Sequence, residues 1–417
     1  MDRYSAFRLF REGLRDQAGW TPAWRKAPLK KRYKVAVIGG GGHGLATAYY
    51  LAKNHGISDV AVIERGWLGG GNTGRNTTVI RSNYYYPASV RLYDFALKLY
   101  EGLSRELNYN VMFSPRGMIT LIHSRHEMDS AARWVGAMQL NGADARMIGR
   151  EEVARRIPAL DVSPGARFPV VGGFIQERAG TARHDAVAWG YARGASALGV
   201  DIVENCEVQG FLGEPGRRIE GVATSLGEVR ADKVVMCVAG HSSVLAAMAG
   251  FDLPITSYAL QAFVSEPVKP VLDVIALSTA TGMYISQSDK GGLVMGGGLD
   301  LFPSYAQRGS TPTMRRVLGA VAEQFPAFGD VKLLRQWAGV VDVVPDSSPI
   351  LGASPVAGLY LNCGWGTGGF KAIPAGGWLT AHHVATGEIH DIARPFTLDR
   401  FAAGALLDEA AASGIAH

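Results

Sequence analysis

The chain has 417 residues, 47% of them hydrophobic and 19% charged, which is more than one core usually holds and predicts at least two domains. Its net charge is +5, yet residues 1–34 hold ten Lys or Arg against three Asp or Glu, which leaves the remaining body at −2 and argues against the basic folded face of a nucleic-acid binder. Three scattered cysteines, Cys206, Cys237 and Cys363, make neither a disulfide framework nor a CxxC metal pair, and no run is apolar enough to span a bilayer, so a cytoplasmic chain without a metal site or a membrane partner is expected.

The basic arm, residues 1–33, interleaves its charges with Trp20, Pro22 and Trp24, and a solvated tail has little use for two tryptophans. The arm is therefore expected to pack on a partner subunit. Arg3, Arg8 and Arg11 have no apolar core behind them, so no signal peptide is expected. Residues 35–38 form a buried strand that runs into Gly39-Gly40-Gly41-Gly42-His43-Gly44 and an alanine-rich helix, and the next strand, residues 60–63, ends on Glu64. This is a dinucleotide fingerprint in its βαβ setting. Gly39 permits the tight turn, Gly41 lets the backbone approach a pyrophosphate, Gly44 lets the helix pack on the strand, and Glu64 would accept hydrogen bonds from a ribose diol. His43 reads as a solvent-facing loop histidine rather than a catalyst.

Further along, residues 88–107 carry Leu92, Phe95, Ala96, Leu99 and Leu103 at helical spacing, residues 111–121 alternate like a strand, and 128–140 and 150–156 are helical. A helix over 184–198 leads into strands at 201–203 and 206–211. A meander follows at 219–225, 228–231 and 233–240, the last a buried strand ending in Gly240-His241-Ser242-Ser243. Strands at 261–265, 283–286 and 293–296, with the turn Ser288-Asp289-Lys290-Gly291-Gly292, suggest a largely antiparallel second domain. After Gly339 the pattern returns to the first domain, and a strand at 359–362 feeds Cys363-Gly364-Trp365-Gly366-Thr367-Gly368-Gly369-Phe370-Lys371. A second glycine turn aims a second helix N-terminus at the same ligand, which suits the negative charge of a reduced flavin and favours FAD over nicotinamide. The expected fold is α/β: a Rossmann-like FAD domain from residues 34–107, 165–250 and 339–417, interleaved with an α+β substrate domain from 108–164 and 251–338 on a mostly antiparallel sheet.

The stretches Gly39 to Lys53, Gly66 to Asn72 with Arg75 to Tyr84, Arg183-His184-Asp185 with Val187-Ala188-Trp189, and Gly364 to Lys371 together resemble the β subunits of heterotetrameric sarcosine oxidases, within the glycine oxidase and D-amino-acid oxidase class of FAD amine oxidoreductases. The resemblance implies a fold of the D-amino-acid oxidase (GR2) type and noncovalent FAD held by Gly39, Gly41, Gly42, His43, Gly44, Glu64 and Arg65, by Gly71, Asn72, Thr77 and Thr78, by Val208 and Gly240, and by Gly364, Gly366, Thr367, Gly368, Gly369 and Lys371. It further implies a second flavin, FMN, attached covalently to His184 at the interface with an α subunit, and γ and δ subunits beside it. Asp185 or a local carbonyl would orient the imidazole. Arg81 and Lys371 match the pair that holds the carboxylate of a small amino-acid substrate in related monomeric enzymes. Tyr84, Tyr258 and Tyr284 are candidates to wall an amine pocket in this chain, although aromatics in a sheet are more often core. The chain departs from those relatives in two places. Thr78 stands where they carry a further arginine, and Gly339-Val340-Val341 lacks the cysteine that binds their FAD. The implied reaction is oxidative demethylation of sarcosine, with electrons passing from FAD to FMN and then to oxygen, and with the imine hydrolysed or captured by tetrahydrofolate. Two other readings stay open: oxidation of another N-substituted amino acid (an opine, N-methylglutamate or dimethylglycine), or a flavin electron-transfer module with no substrate site of its own.

Overall fold

The computed structural model describes residues 5–16, 18 and 22–407. Its first sheet has Arg32–Ile38 between Val60–Ile63 and the long strand Gly227–Met236, parallel to both, with Asp201–Val203 added in parallel beyond Val60–Ile63. Leu359–Cys363 runs parallel to the far end of Gly227–Met236. Parallel ladders need both faces covered, and the sequence provides for it with unbroken apolar strands. Val35 and Val37 join Leu45, Ala48 and Leu51 of helix Gly42–His55 and Val187 and Tyr191 of helix His184–Ala197 on one side; Ala36 and Ile38 join Val234, Met236 and Leu359 on the other. The stretches expected as separate strands at 228–231 and 233–240 are one strand, Gly227–Met236. Its first half pairs antiparallel with Arg218–Thr224 and its second half enters the parallel sheet.

The second sheet runs in the order Leu333–Val343, Thr256–Pro267, Gly292–Pro303, Met283–Gln287, Ile275–Ser278, Met118–Ile122, Gly172–Gln176, Arg146–Gly149. All its pairs are antiparallel except Ile275–Ser278 with Met118–Ile122. Two expected domain boundaries shift accordingly. Gly172–Gln176, assigned above to the FAD domain, pairs with Met118–Ile122, and Leu333–Val343 continues past residue 339 as an edge strand of this sheet, held along its length by Thr256–Pro267. Helix Thr311–Gln324, which sequence periodicity did not single out, covers the sheet through Val317 and Val321.

A three-stranded sheet of Val79–Ile80, Gly180–Thr181 and Ser114–Pro115 lies between the segments that carry Thr78 and His184. The Thr78 carbonyl accepts the Ala182 N–H at 3.1 Å.

The N-terminal arm departs from expectation. Trp20 lies outside the described residues. The Trp24 indole donates to Glu204 at 3.2 Å, Arg25 pairs with Asp201 at 2.6 Å, and Lys26 bridges to Ile202, so this part of the arm lies on the edge of its own first sheet. Among the described residues no helix is long and apolar enough to cross a membrane.

Candidate active site

The first glycine turn is shaped by close approach. Gly39 adopts φ +105°, and a Cβ there would lie 2.4 Å from the Cys237 carbonyl oxygen; one on Gly44 would lie 2.0 Å from the carbonyl oxygen of Gly39. Only glycine permits both contacts. Glu64 pins the turn to the neighbouring strand: one carboxylate oxygen accepts the Gly40 N–H at 2.7 Å and the other the Gly66 N–H at 2.9 Å. Its remaining lone pairs are available to a diol. The Thr73 hydroxyl accepts the Gly42 N–H at 2.9 Å, a contact that sequence reasoning missed.

The second turn, with Gly364 at φ +70° and Gly366 at φ +50°, is held by Asp342, also missed. One oxygen of this buried carboxylate accepts the N–H of Gly364 at 2.6 Å and that of Trp365 at 3.2 Å. Burial pushes the Asp342 carboxyl up to about 6, although the backbone donors pull it the other way. An acid inside the apolar run Val340-Val341-Asp342-Val343-Val344 was the available signal. The indole of Trp365 donates to Asn362 at 2.7 Å, and its ring stacks on His43 with centroids 4.6 Å apart. His43 is thus not a solvent-facing loop residue. It sits in the first turn of helix Gly42–His55, and its Nε2 donates to the Gly369 carbonyl at 2.9 Å, tying the two glycine turns together. Burial pushes its pKa down to about 4 and keeps the ring neutral.

Helix Gly369–Thr386 packs directly on helix Gly42–His55, because a Cβ on Gly377 would lie 2.4 Å from Ala46 and one on Gly376 would lie 2.7 Å from the His43 ring. Pro374 inside this helix has no N–H for the carbonyl four residues back, and the Tyr100 hydroxyl donates to that carbonyl, Phe370, at 2.7 Å. The helix start that bears Lys371 is therefore fixed from three sides.

Between the turns lies a cavity of about 690 Å³. Its lining includes Gly39, Gly41, Gly42, His43, Glu64 and Arg65 from the first turn, then Gly71, Asn72, Thr77 and Thr78, then Val208 and Gly240, and Gly364, Gly366, Thr367, Gly368, Gly369 and Lys371 from the second. Gly44 stands behind the lining as a packing contact. Asn72 has both its side-chain groups engaged with the Val340 backbone, at 2.6 and 2.9 Å, so it fastens the loop to strand Leu333–Val343. Thr78 takes φ +66°, which is unusual for a β-branched residue, with its N–H donating to Asn76 at 2.6 Å.

Two cations meet at one end of this cavity. Lys371 is 5% exposed, and its Nζ donates to the Thr367 carbonyl at 3.1 Å and to the Tyr84 hydroxyl at 3.3 Å. Arg81 lies over the Tyr84 ring at 5.0 Å and donates to Asn83. Tyr84 stacks on Tyr93 at 3.8 Å, and the Lys371 ammonium lies 5.8 Å from both ring centroids. Neither cation has an acidic partner among the described residues. Burial first, and the charge of Arg81 second, hold the Lys371 pKa well below the usual lysine range. Buried cations are normally paired, and an anion would compensate the buried Lys371 beside the half-buried Arg81. Tyr284 borders the same cavity, its hydroxyl crowded against Gly296. Tyr258 does not reach the lining: it occupies the start of strand Thr256–Pro267, two residues before Leu260, which does.

His184 lies outside this cavity, as the first residue of helix His184–Ala197, with a buried Nδ1 that has no hydrogen-bond partner. Burial lowers its pKa. Asp185 does not orient the ring, since both its oxygens accept from Arg183 and one also from the Ala186 N–H.

A model of the family of FAD-dependent oxidoreductases (DAO) matches residues 34–383. The chain belongs to this family. It is similar over the full length of both chains to sarcosine oxidase subunit beta of Rhodobacter capsulatus, at 54% identity, and over 94% of its own length and 97% of the relative to the Arthrobacter subunit, at 48%. Among solved structures, the L-proline dehydrogenase of P. horikoshii superposes with a TM-score of 0.85 at 28% identity, over 91% of this chain and all of that one. Glycine oxidase of Geobacillus kaustophilus shares the fold, with a TM-score of 0.79 at 22% identity over 89% and 99% of the two chains. As an FAD-dependent oxidoreductase the chain is an enzyme, and the cavity between its two glycine turns is lined by closely packed glycine backbone, by Glu64 at the next strand end and by a second helix start.

Proposed function

We propose that this chain is the β subunit of a hetero-oligomeric sarcosine oxidase, assembled with α, γ and δ subunits. The carrying observation is the unpaired Arg81 and Lys371 at the end of the cavity bounded by both glycine turns. Arg81 offers a planar fork and Lys371 a point charge, so a small amino-acid carboxylate fixed on the pair would present its N-methyl group toward the FAD site. Tyr84 and Tyr93 supply the apolar wall, and the dry surroundings of Lys371 exclude water from the amine. FAD, when bound, accepts the hydride from the N-methyl carbon and passes the electrons on. The substrate imine is then hydrolysed to formaldehyde and glycine, or captured by tetrahydrofolate on the α subunit.

His184 would hold FMN covalently. Its buried, unpartnered Nδ1 and lowered pKa supply a neutral imidazole, the form whose lone pair could bond the methyl carbon of an oxidised flavin as that carbon loses a proton and the flavin ring takes up the two electrons for return to oxygen, and the sheet joining Thr78 to Ala182 connects its helix to the FAD cavity. Oxygen would take the electrons at this second site and leave as peroxide. FAD itself would be noncovalent. Cys237 borders the cavity, but burial pushes its thiol up to about 12 and keeps it protonated. Acid-denatured holoenzyme is expected to release its adenine-containing flavin and keep one FMN mass on the peptide carrying Arg183-His184-Asp185. An unmodified His184 peptide from active complex would remove FMN from this subunit.

A second reading has one observation in its favour. The 28% identity and TM-score of 0.85 to an L-proline dehydrogenase point to secondary amino acids as a class, so a different N-substituted amino acid could occupy the same two cations. Comparing flavin reduction by sarcosine, proline and N-methylglutamate separates the two.

A further inference from the structure

The two cations at the end of the cavity create a problem that the carboxylate alone does not solve. An amino acid in neutral water carries an ammonium as well as a carboxylate, and an ammonium has no lone pair to support loss of hydride from its neighbouring carbon. One proton must leave the nitrogen inside the site, and the lining offers few places for it. From the segment after strand Val79–Ile80, Arg81 and the Tyr84 hydroxyl face Lys371; from helix Pro87–Glu106, Tyr93 does. From helix Gly42–His55, His43 reaches only the Gly369 carbonyl; from strand Leu333–Val343, Asp342 is turned to the amides of Gly364 and Trp365. Arginine stays charged at all accessible pH, so of the half-buried Arg81 and the buried Lys371 it is the lysine that gives up its proton before a carboxylate arrives.

We infer that Lys371 is the proton acceptor for the substrate amine: the site binds the zwitterion with Lys371 neutral, the ammonium N–H bond breaks, a new N–H bond forms on the Lys371 nitrogen, and the resulting ammonium pairs with the carboxylate just bound. The inference rests on the carboxylate site proposed above. No proton is gained from or lost to solvent in this exchange, and no electron moves until the hydride leaves. The geometry favours it because the amine and carboxylate of an α-amino acid are one carbon apart, so a nitrogen in contact with the carboxylate is within reach of the amine, directly or through the Tyr84 hydroxyl at 3.3 Å. The depressed lysine pKa has the sign this requires: burial favours the neutral amine before binding, and the arriving anion favours the charged one. Lys371 thereby serves successively as base and as counter-ion.

The test uses the FAD holoenzyme and two isosteric probes, sarcosine and its thioether analogue methylthioacetate, which carries the carboxylate but no transferable proton. Over pH 6.5–9.5, methylthioacetate is expected to take up about one proton from solvent per site, read with an indicator dye, and its dissociation constant to rise about tenfold per pH unit once Lys371 is neutral. Sarcosine brings its own proton, so its dissociation constant, from anaerobic flavin-reduction traces, is expected to stay flat. Lys371→Arg should still bind methylthioacetate but take up no proton, because arginine is already charged. Methylthioacetate binding without proton uptake and without pH dependence would overturn the inference, as would a sarcosine constant that climbs with pH as steeply as the thioether's. A holoenzyme that binds no carboxylate at any pH would instead remove the carboxylate site itself, and this inference with it.

Discussion

Both glycine turns are held by a carboxylate that accepts two backbone N–H groups, but the two acids live in different surroundings. Glu64 is half-buried and spreads its bonds over both oxygens, from Gly40 and Gly66; Asp342 is 2% exposed and gathers Gly364 and Trp365 on one oxygen. The wet acid keeps lone pairs for a ligand, whereas the dry one is committed to the fold and is pushed up to about 6 by its burial. The same device thus does two jobs: at the first turn it positions the backbone and leaves lone pairs at the cavity lining, and at the second it only positions, in a burial that raises its own pKa.

The comparison can be broken most sharply by truncation. Asp342→Ala strands two buried N–H groups that water cannot easily reach, and the expected loss is about 4 kcal/mol in urea unfolding. Glu64→Ala leaves its two donors where solvent can replace the carboxylate, so about 1 kcal/mol is expected there, with the larger effect falling on FAD affinity. Equal losses at the two positions would mean that burial does not separate them.

The pH dependence sharpens the same contrast. Asp342 has a folded pKa of about 6 against 3.8 for an ordinary aspartate, so the folded state binds more protons between these values, and its contribution is full below pH 3.8 and lost as pH rises through 6. His43 has the opposite sign: its folded pKa is about 4 against 6.5, so stability is lost as pH falls through this window. Each swing is about 3 kcal/mol, and the two largely cancel across pH 4–6. Asp342→Asn should expose the rising limb and His43→Gln the falling one, as read by urea midpoints across pH 4–6.5. Parallel profiles for the two variants would refute the assignment. The smallest effect is expected at Thr73→Val, which removes the acceptor of the Gly42 N–H at the first turn and should cost about 0.5 kcal/mol in the same urea assay.

The contrast also marks how much could be read from the chain alone. The first turn and Glu64 were legible because strand, glycines and acid are close in sequence, and the second turn because its glycines follow an apolar strand directly. Asp342, Thr73 and Tyr93 were not singled out, since each acts on a partner brought near only by the fold: Asp342 is 22 residues from Gly364, and Thr73 is 31 from Gly42. His43 was misjudged because the Trp365 ring that covers it comes from the far end of the chain. The domain boundaries near 165 and 339 failed for a related reason. Sheet membership of Gly172–Gln176 and Leu333–Val343 is decided by ladder partners far away in sequence rather than by local alternation. Arg81 and Lys371, by contrast, were named from resemblance, and the structure brings both to the lining of one cavity with no ion-pair partner among the described residues.

That pairing is where the account is most exposed to test. FAD holoenzyme titrated with 2-furoate or acetate should show a perturbed flavin spectrum, and Arg81→Met should weaken the binding by about 2–3 kcal/mol, the scale of removing a charge-assisted hydrogen bond from a desolvated site. A dissociation constant unchanged by the substitution would contradict the claim that Arg81 and Lys371 form the carboxylate site.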